Sequence, residues 1–171
     1  ETITRLKKMK KKIIMITGDN EATAKSIAAQ AGIENIIAGV MPADKAGQIK
    51  LLQTNGEIVA MAGDGINDSP ALAQSDVGVA MGTGTDIAIE TSSITLMKGN
   101  IEGIVQAITL SEKTIGTIKQ NLFWAFLYNV IAIPVAAIGL LKPTYGAGIM
   151  ALSDVVLILN SLRLGIRRLS K

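Results

Sequence analysis

The chain has 171 residues with 17 basic and 14 acidic side chains, a net charge of +3, and neither cysteine nor histidine. Without those two residue types it can form no disulfide, no thiolate nucleophile, no Ser-His-Asp triad and no zinc site held by Cys or His. Hydrophobic residues reach 49% while aromatic ones stay at 3%, which excludes both a disordered chain and an aromatic nucleic-acid platform.

Charge is spread unevenly along the chain. The first twelve residues hold six bases (Arg5, Lys7, Lys8, Lys10, Lys11 and Lys12), and from Lys113 onward seven bases face Asp154 alone. Between Asp19 and Glu112, twelve acids outnumber four bases. That acidic middle would repel a phosphate backbone, so no nucleic-acid partner is expected. The chain opens on Glu1 with no signal-peptide pattern and is expected to be a piece of a longer protein.

Lys12–Thr17 (KIIMIT) predicts a strand, and Glu21–Ala31 a helix that stops at Gly32. Asn35–Ala38 predicts a short strand, and Pro42–Thr54 a helix with proline in its first turn and Gly56 beyond its end. Ile58–Ala62 (IVAMA) predicts a third strand, Asp68–Ser75 a short helix, and Val77–Met81 and Ile94–Met97 two more short strands. Near-continuous apolar strands joined by helices imply an α/β fold, a parallel sheet covered on both faces. Residues 1–99 read as this domain, and 100–122 as a helix leading onward.

Hydropathy then changes. Phe123–Leu141 is 19 residues without a charge, and Thr144–Leu162 is another 19 interrupted only by Asp154. A bilayer core about 30 Å thick needs roughly 20 helical residues, so each stretch can span it. Only Lys142 and Pro143 separate them, which predicts a tight antiparallel hairpin over residues 123–164, followed by a basic tail over 165–171. Lys113, Lys119, Arg163, Arg167, Arg168 and Lys171 on one side against Lys142 on the other place both ends of the hairpin in the cytoplasm. Trp124, Tyr128 and Tyr145 are candidate interfacial anchors. Pro134 lies within the first span and leaves the carbonyl of Val130 without its helical donor. A pair of buried core helices in a soluble protein is the alternative, but such helices usually keep a charged face.

In a parallel α/β sheet, ligands bind at the carboxyl ends of the strands. Here those ends are polar. The first strand runs into Thr17-Gly18-Asp19-Asn20 and the third into Gly63-Asp64-Gly65-Ile66-Asn67-Asp68. Glycines let the backbone approach a ligand, and Asp64 and Asp68 could together hold a hard cation such as Mg²⁺. Thr17 offers a hydroxyl to a phosphate, and Lys45 a fixed positive charge. This combination suits Mg²⁺-assisted phosphoryl transfer. Taken singly, TGD is also an ordinary turn and Lys45 an ordinary solvated lysine. Two glycines and three Asx residues in six positions exceed what a plain turn needs.

The combination TGDN, MPADK and GDGINDSPALAQSDVGVAMGTGTDIAIE, with a hydrophobic hairpin after it, resembles the heavy-metal-transporting P-type ATPases over essentially the whole chain. The resemblance implies a haloacid-dehalogenase-like phosphorylation domain. In it Thr17 and Gly18 would meet the phosphoryl group, with Asp19 organising their loop. Lys45 would neutralise the phosphoryl charge, Asp64 would hold Mg²⁺, and Asn67 and Asp68 would complete the site. NLFWAFLYN followed by MALSD and LNSLRL is similar to the copper-transporting members. By that pattern Tyr128, Asn129, Met150 and Ser153 would bind transported Cu⁺, or another heavy metal. Asp154 stands where the copper pattern has a second serine and is an uncertain further ligand. The resemblance also implies partners: the rest of the same ATPase, with its nucleotide-binding and actuator domains and other membrane helices, and a lipid bilayer. ATP would be bound mainly by those other domains. The phosphorylated aspartate of D-K-T-G-T and the Cys-Pro-Cys membrane motif do not occur in this sequence, so the chain alone is expected not to hydrolyse ATP. Two other readings stand beside this one. A soluble haloacid-dehalogenase-like phosphatase leaves the hairpin unexplained, and a membrane-anchored regulatory module would have kept the fold without the nucleophile.

Overall fold

A computed structural model describes residues 1–64, 66–141 and 143–166. Gly65, Lys142, Arg167, Arg168 and Lys171, all used in the sequence reading, lie outside the described residues, as does most of the 165–171 tail. The chain divides into two compact units, one over Glu1–Val105 and one beginning at Gln106.

The first unit opens with α1 (Thr2–Lys8), which the sequence reading treats only as a basic run. Leu6 anchors this helix by burial. Two of its charges meet acids of the same unit: Lys7 pairs with Glu34, and Arg5 lies 3.4 Å from Glu102. Just beyond the helix, Lys12 lies 3.1 Å from Glu57. The elements that follow are β1 (Ile14–Ile16), α2 (Glu21–Ala31), β2 (Asn35–Ile37), α3 (Pro42–Thr54) and β3 (Ala60–Gly63). A 3₁₀ turn (Ile66–Asp68) then leads to α4 (Ser69–Gln74), β4 (Val77–Met81), α5 (Asp86–Glu90) and β5 (Ile94–Leu96).

Local chemistry explains the boundaries. Asn20 caps α2 by accepting the Thr23 N–H at 3.0 Å, and Gly32 ends it in the left-handed region at φ 73°. Pro42 opens α3 at a position where its missing N–H is no loss. The short helix predicted over Asp68–Ser75 is divided, because Asp68 closes a 3₁₀ turn before α4 starts.

All strand pairs are parallel, as expected, yet they form two ladders rather than one sheet: β1–β2, and β3–β4–β5. Each of β1 and β3 has a strand on one side only among the described residues. Ala60 and Ala62 are correspondingly exposed. The larger ladder carries the core, in which Leu72, Ala80 and Ala88 are buried together with Met61 and Ile89 against them. Small residues let the helices sit close to the sheet. A Cβ on Gly78 would fall 2.9 Å from the Leu72 carbonyl oxygen.

Two long helices complete the chain: α6 (Glu102–Ala137, 36 residues) and α7 (Pro143–Ile166, 24 residues). Both are long and apolar enough to cross a membrane. Residues 102–122 and the first apolar stretch are one uninterrupted helix that continues through Pro134. Gly139, at φ 73°, follows the end of α6. Half-buried positions recur along α6 at Asn121, Ala125, Tyr128, Ala132 and Val135, and along α7 at Ser153, Leu157, Asn160 and Leu164. Steps of three and four residues define one seam on each helix.

Candidate functional site

The Thr17 N–H donates to the Ile37 carbonyl at 3.0 Å, so strand pairing continues up to the functional turn. Beyond it the side chains take over. The Thr17 hydroxyl donates to Asp19 Oδ2 at 3.0 Å and accepts the Asp19 N–H at 3.1 Å. Asp19 thereby fixes the rotamer of Thr17. The Thr17 carbonyl accepts the Val40 N–H at 3.1 Å, and a Cβ at Gly18 would lie 3.3 Å from the Val40 oxygen. This turn is thus laced to the loop that starts α3, whose first turn carries Lys45.

Lys45 is where the structure departs from an ordinary surface lysine. Its Nζ donates to Asp68 Oδ1 at 2.7 Å, and the two side chains are only 16% and 14% exposed. A charged pair removed from water to this degree holds its geometry, because losing either partner strands the other charge. Gly63 makes the approach possible: a Cβ there would sit 2.7 Å from the Asp68 Cβ.

Asp64 is exposed beyond the end of β3, and its backbone is held from the neighbouring strand. Its carbonyl accepts the Thr85 N–H at 3.1 Å, and a Cβ at Gly84 would fall 2.5 Å from the same oxygen. The loop Gly82–Thr85, to which the sequence reading gives no role, therefore positions Asp64. The available signal was G-T-G-T placed directly after a strand. Asn67 lies exposed on the 3₁₀ turn. The hard carboxylate oxygens of Asp64 are of the kind Mg²⁺ takes. No group of three acids able to hold a metal occurs among the described residues. The donor set fits Mg²⁺ as part of a coordination sphere, not as a whole one.

Elsewhere in this unit, Asp76 accepts the Val59 N–H at 2.8 Å. That bond, and a second from Gln53, hold its carboxyl below the usual carboxylate range.

In the hairpin, Tyr128 and Ser153 lie on the two half-buried seams. Asn129, Met150 and Asp154 lie beside the seams and are exposed, Met150 by 58%. The Asn129 amide donates to the Ala125 carbonyl at 2.8 Å. Ser161, on the same face of α7 as Met150 and Asp154 by helical spacing, accepts the Asn121 amide at 2.9 Å. The hairpin residues thus do not enclose a metal by themselves.

Two family models, each describing a haloacid dehalogenase-like hydrolase, match residues 1–76 and 45–108. A probable copper-exporting P-type ATPase V from Mycobacterium tuberculosis is 53% identical over 96% of this chain and 21% of that protein. A copper-exporting P-type ATPase from Bacillus subtilis is also 53% identical, over 96% of this chain and 20% of that protein. A crystal structure of a zinc-transporting PIB-type ATPase in its E2.Pi state matches with a TM-score of 0.88 and 34% identity, covering 95% of this chain and 27% of that one. The chain spans about a fifth of the length of the curated relatives it matches. That similarity runs through the α/β unit and the apolar helices alike: nearly the whole chain is similar to copper- and zinc-transporting P-type ATPases, and its α/β unit to haloacid dehalogenase-like hydrolases.

Proposed function

We propose that the chain forms part of an ATP-driven Cu(I) pump that works through an aspartyl-phosphate intermediate. The observation that carries this reading is the coexistence of two features on one chain. One is a strand-end site with a shielded lysine–aspartate pair, and the other is a pair of membrane-length helices bearing a thioether and amides. The Thr17 hydroxyl, turning its proton from Asp19 to the phosphate, and the Gly18 N–H donate to the phosphoryl oxygens, and Lys45 offsets their charge. Asp68 positions Lys45 rather than serving first as a cation ligand, and Asn67 completes the turn. Asp64 holds Mg²⁺, which when bound supplies charge neutralisation of the transferring group. The phosphorylated aspartate, ATP and the actuator come from other parts of the parent protein. The one-sided edges of β1 and β3 offer that aspartate's strand a place to pair. The basic flanks support a cytoplasmic position for this α/β unit and both hairpin ends.

On the membrane side, Tyr128, Asn129, Met150 and Ser153 contribute to the transported metal's site, together with helices of the parent. A thioether favours soft Cu(I), and Asp154 tunes release or compensates charge. Copper is named for relatives at 53% identity, zinc for the structural neighbour at 34%. The test is ATPase activity of the full-length parent titrated with Cu(I), Zn²⁺ and Co²⁺. Cu(I) should stimulate it, Met150→Ala should remove most of that stimulation, and Asp154→Ser should keep it with an altered pH dependence. Stimulation by Zn²⁺ or Co²⁺ alone, destroyed by Asp154→Ser, would overturn copper and make Asp154 the principal ligand.

A further inference from the structure

Besides the residues assigned to metal, the hairpin contains a connected set of neutral polar side chains. The Asn160 amide donates to Asn121 Oδ1 at 2.8 Å, with Gln120 Oε1 at 3.4 Å as a second acceptor. The Asn121 amide donates to Ser161 Oγ at 2.9 Å, and the Ser161 hydroxyl donates to the Leu157 carbonyl at 2.8 Å. Donation thus passes from α7 to α6 and back to α7, ending on backbone. Around these groups the seams are Ala125, Leu157 and Leu164, whose apolar side chains offer no directional contact.

We propose that Asn121, Asn160 and Ser161 form a clamp that sets the register of α6 against α7 and thereby places Tyr128 opposite Ser153. The helices are antiparallel, so positions pair by counting in opposite directions from the Asn121–Asn160 bond. Seven residues along each helix lead to Tyr128 and Ser153. Two helical turns separate clamp and site on both helices, and neither 121–128 nor 153–160 contains glycine or proline. The other end of the hairpin holds register less firmly. Pro134 cannot donate to the Val130 carbonyl, and α7 carries Gly146 and Gly148. A slip of one turn, about 5.4 Å, would bring Tyr128 level with Met150 or Leu157 instead. Asn121, Asn160 and Ser161 are positioning residues; they do not touch the metal. The effect on transport rests on the pump reading, whereas the clamp itself does not.

The register is read directly in the chain reconstituted in phospholipid vesicles, which has no native cysteine to interfere. With Tyr128→Cys and Ser153→Cys, a short thiol crosslinker should join the helices efficiently. Adding Asn160→Leu should lower that yield and raise crosslinking of Tyr128→Cys to Met150→Cys or Leu157→Cys. The milder Ser161→Ala should shift the pattern the same way by less. An unchanged crosslinking pattern in both variants overturns the clamp. In the full-length parent, Asn121→Leu and Asn160→Leu should each raise the Cu(I) concentration for half-maximal ATPase stimulation, by about three- to fifteenfold. Maximal turnover should change little, and the double variant should shift by less than the product of the two single shifts, since both break the Asn121–Asn160 bond. Shifts that multiply would contradict a shared contact. A parent ATPase that no metal stimulates would sink the pump reading, leaving crosslinking to decide the clamp.

Discussion

Lys45 and Asp68, 23 residues apart, meet at 2.7 Å in the α/β unit; Asn121 and Asn160, 39 apart, meet at 2.8 Å in the hairpin. Nearly equal distances join very different pairs. The first is charged and shielded, and backbone turns at a strand end and a helix start bring it together. The second is neutral, and helical repeat brings it together. Breaking a shielded ion pair on one side costs about 3–5 kcal/mol, because a bare charge remains. An interhelical amide bond in a membrane contributes about 0.6 kcal/mol on average and about 1.7 at most. The α/β unit therefore holds its charged pair firmly, while the hairpin holds its polar contacts by a much smaller margin.

The largest effect is expected at Asp64, in the α/β unit. In the full-length parent, Asp64→Ala should abolish Mg²⁺-dependent phosphoenzyme formation from ATP. Near-normal labelling of that variant would remove Asp64 from the site. Lys45→Ala should come next, lowering turnover by at least roughly tenfold, since one preorganised charge contributes on the order of 3 kcal/mol. It should also destabilise the α/β unit, because Asp68 is left shielded without its partner. Thermal unfolding indistinguishable from wild type would mean that the pair is solvated and the contrast with the hairpin is lost.

The smallest effect is expected at Asp76, where hydrogen bonds from Val59 and Gln53 hold the carboxyl below its usual range. A carboxyl depressed in the folded state stabilises fully above its unfolded pKa, near 4. That stabilisation disappears as pH falls through the folded value. Asp76→Ala should therefore melt below wild type at neutral pH, and the gap between the two should narrow as pH falls below the unfolded pKa. A gap that stays constant through that acid range would show that the Asp76 charge contributes nothing. At the hairpin clamp no comparable pH dependence is expected, since amides and hydroxyls do not titrate in this range.

Much of the fold was legible locally. Helices α2 and α3 and strand β4 have the bounds that capping, proline placement and apolar runs predict. Each depends on neighbours within a few residues. The failures share the opposite cause. Helix α1 was hidden because its lysines read as a solvated run, and only tertiary structure shows Leu6 buried and Lys7 paired with Glu34. Helix α5 was hidden because its five residues are too few to show a period. The division of the parallel strands into two ladders was hidden because strand pairing is non-local, and apolar runs do not say which strands are neighbours.

The candidate site divides along the same line. Sequence alone determined the residue types at the strand ends, the length of the two apolar helices and the spacing of polar groups along them, since these follow from order in the chain. Tertiary structure decided that Lys45 lies against Asp68, that Gly84 and Thr85 hold the Asp64 carbonyl, and that Ser161 bonds Asn121. Each of these contacts joins residues far apart in sequence. Backbone closure brings them together, and no local pattern of side chains encodes which partner a donor will reach.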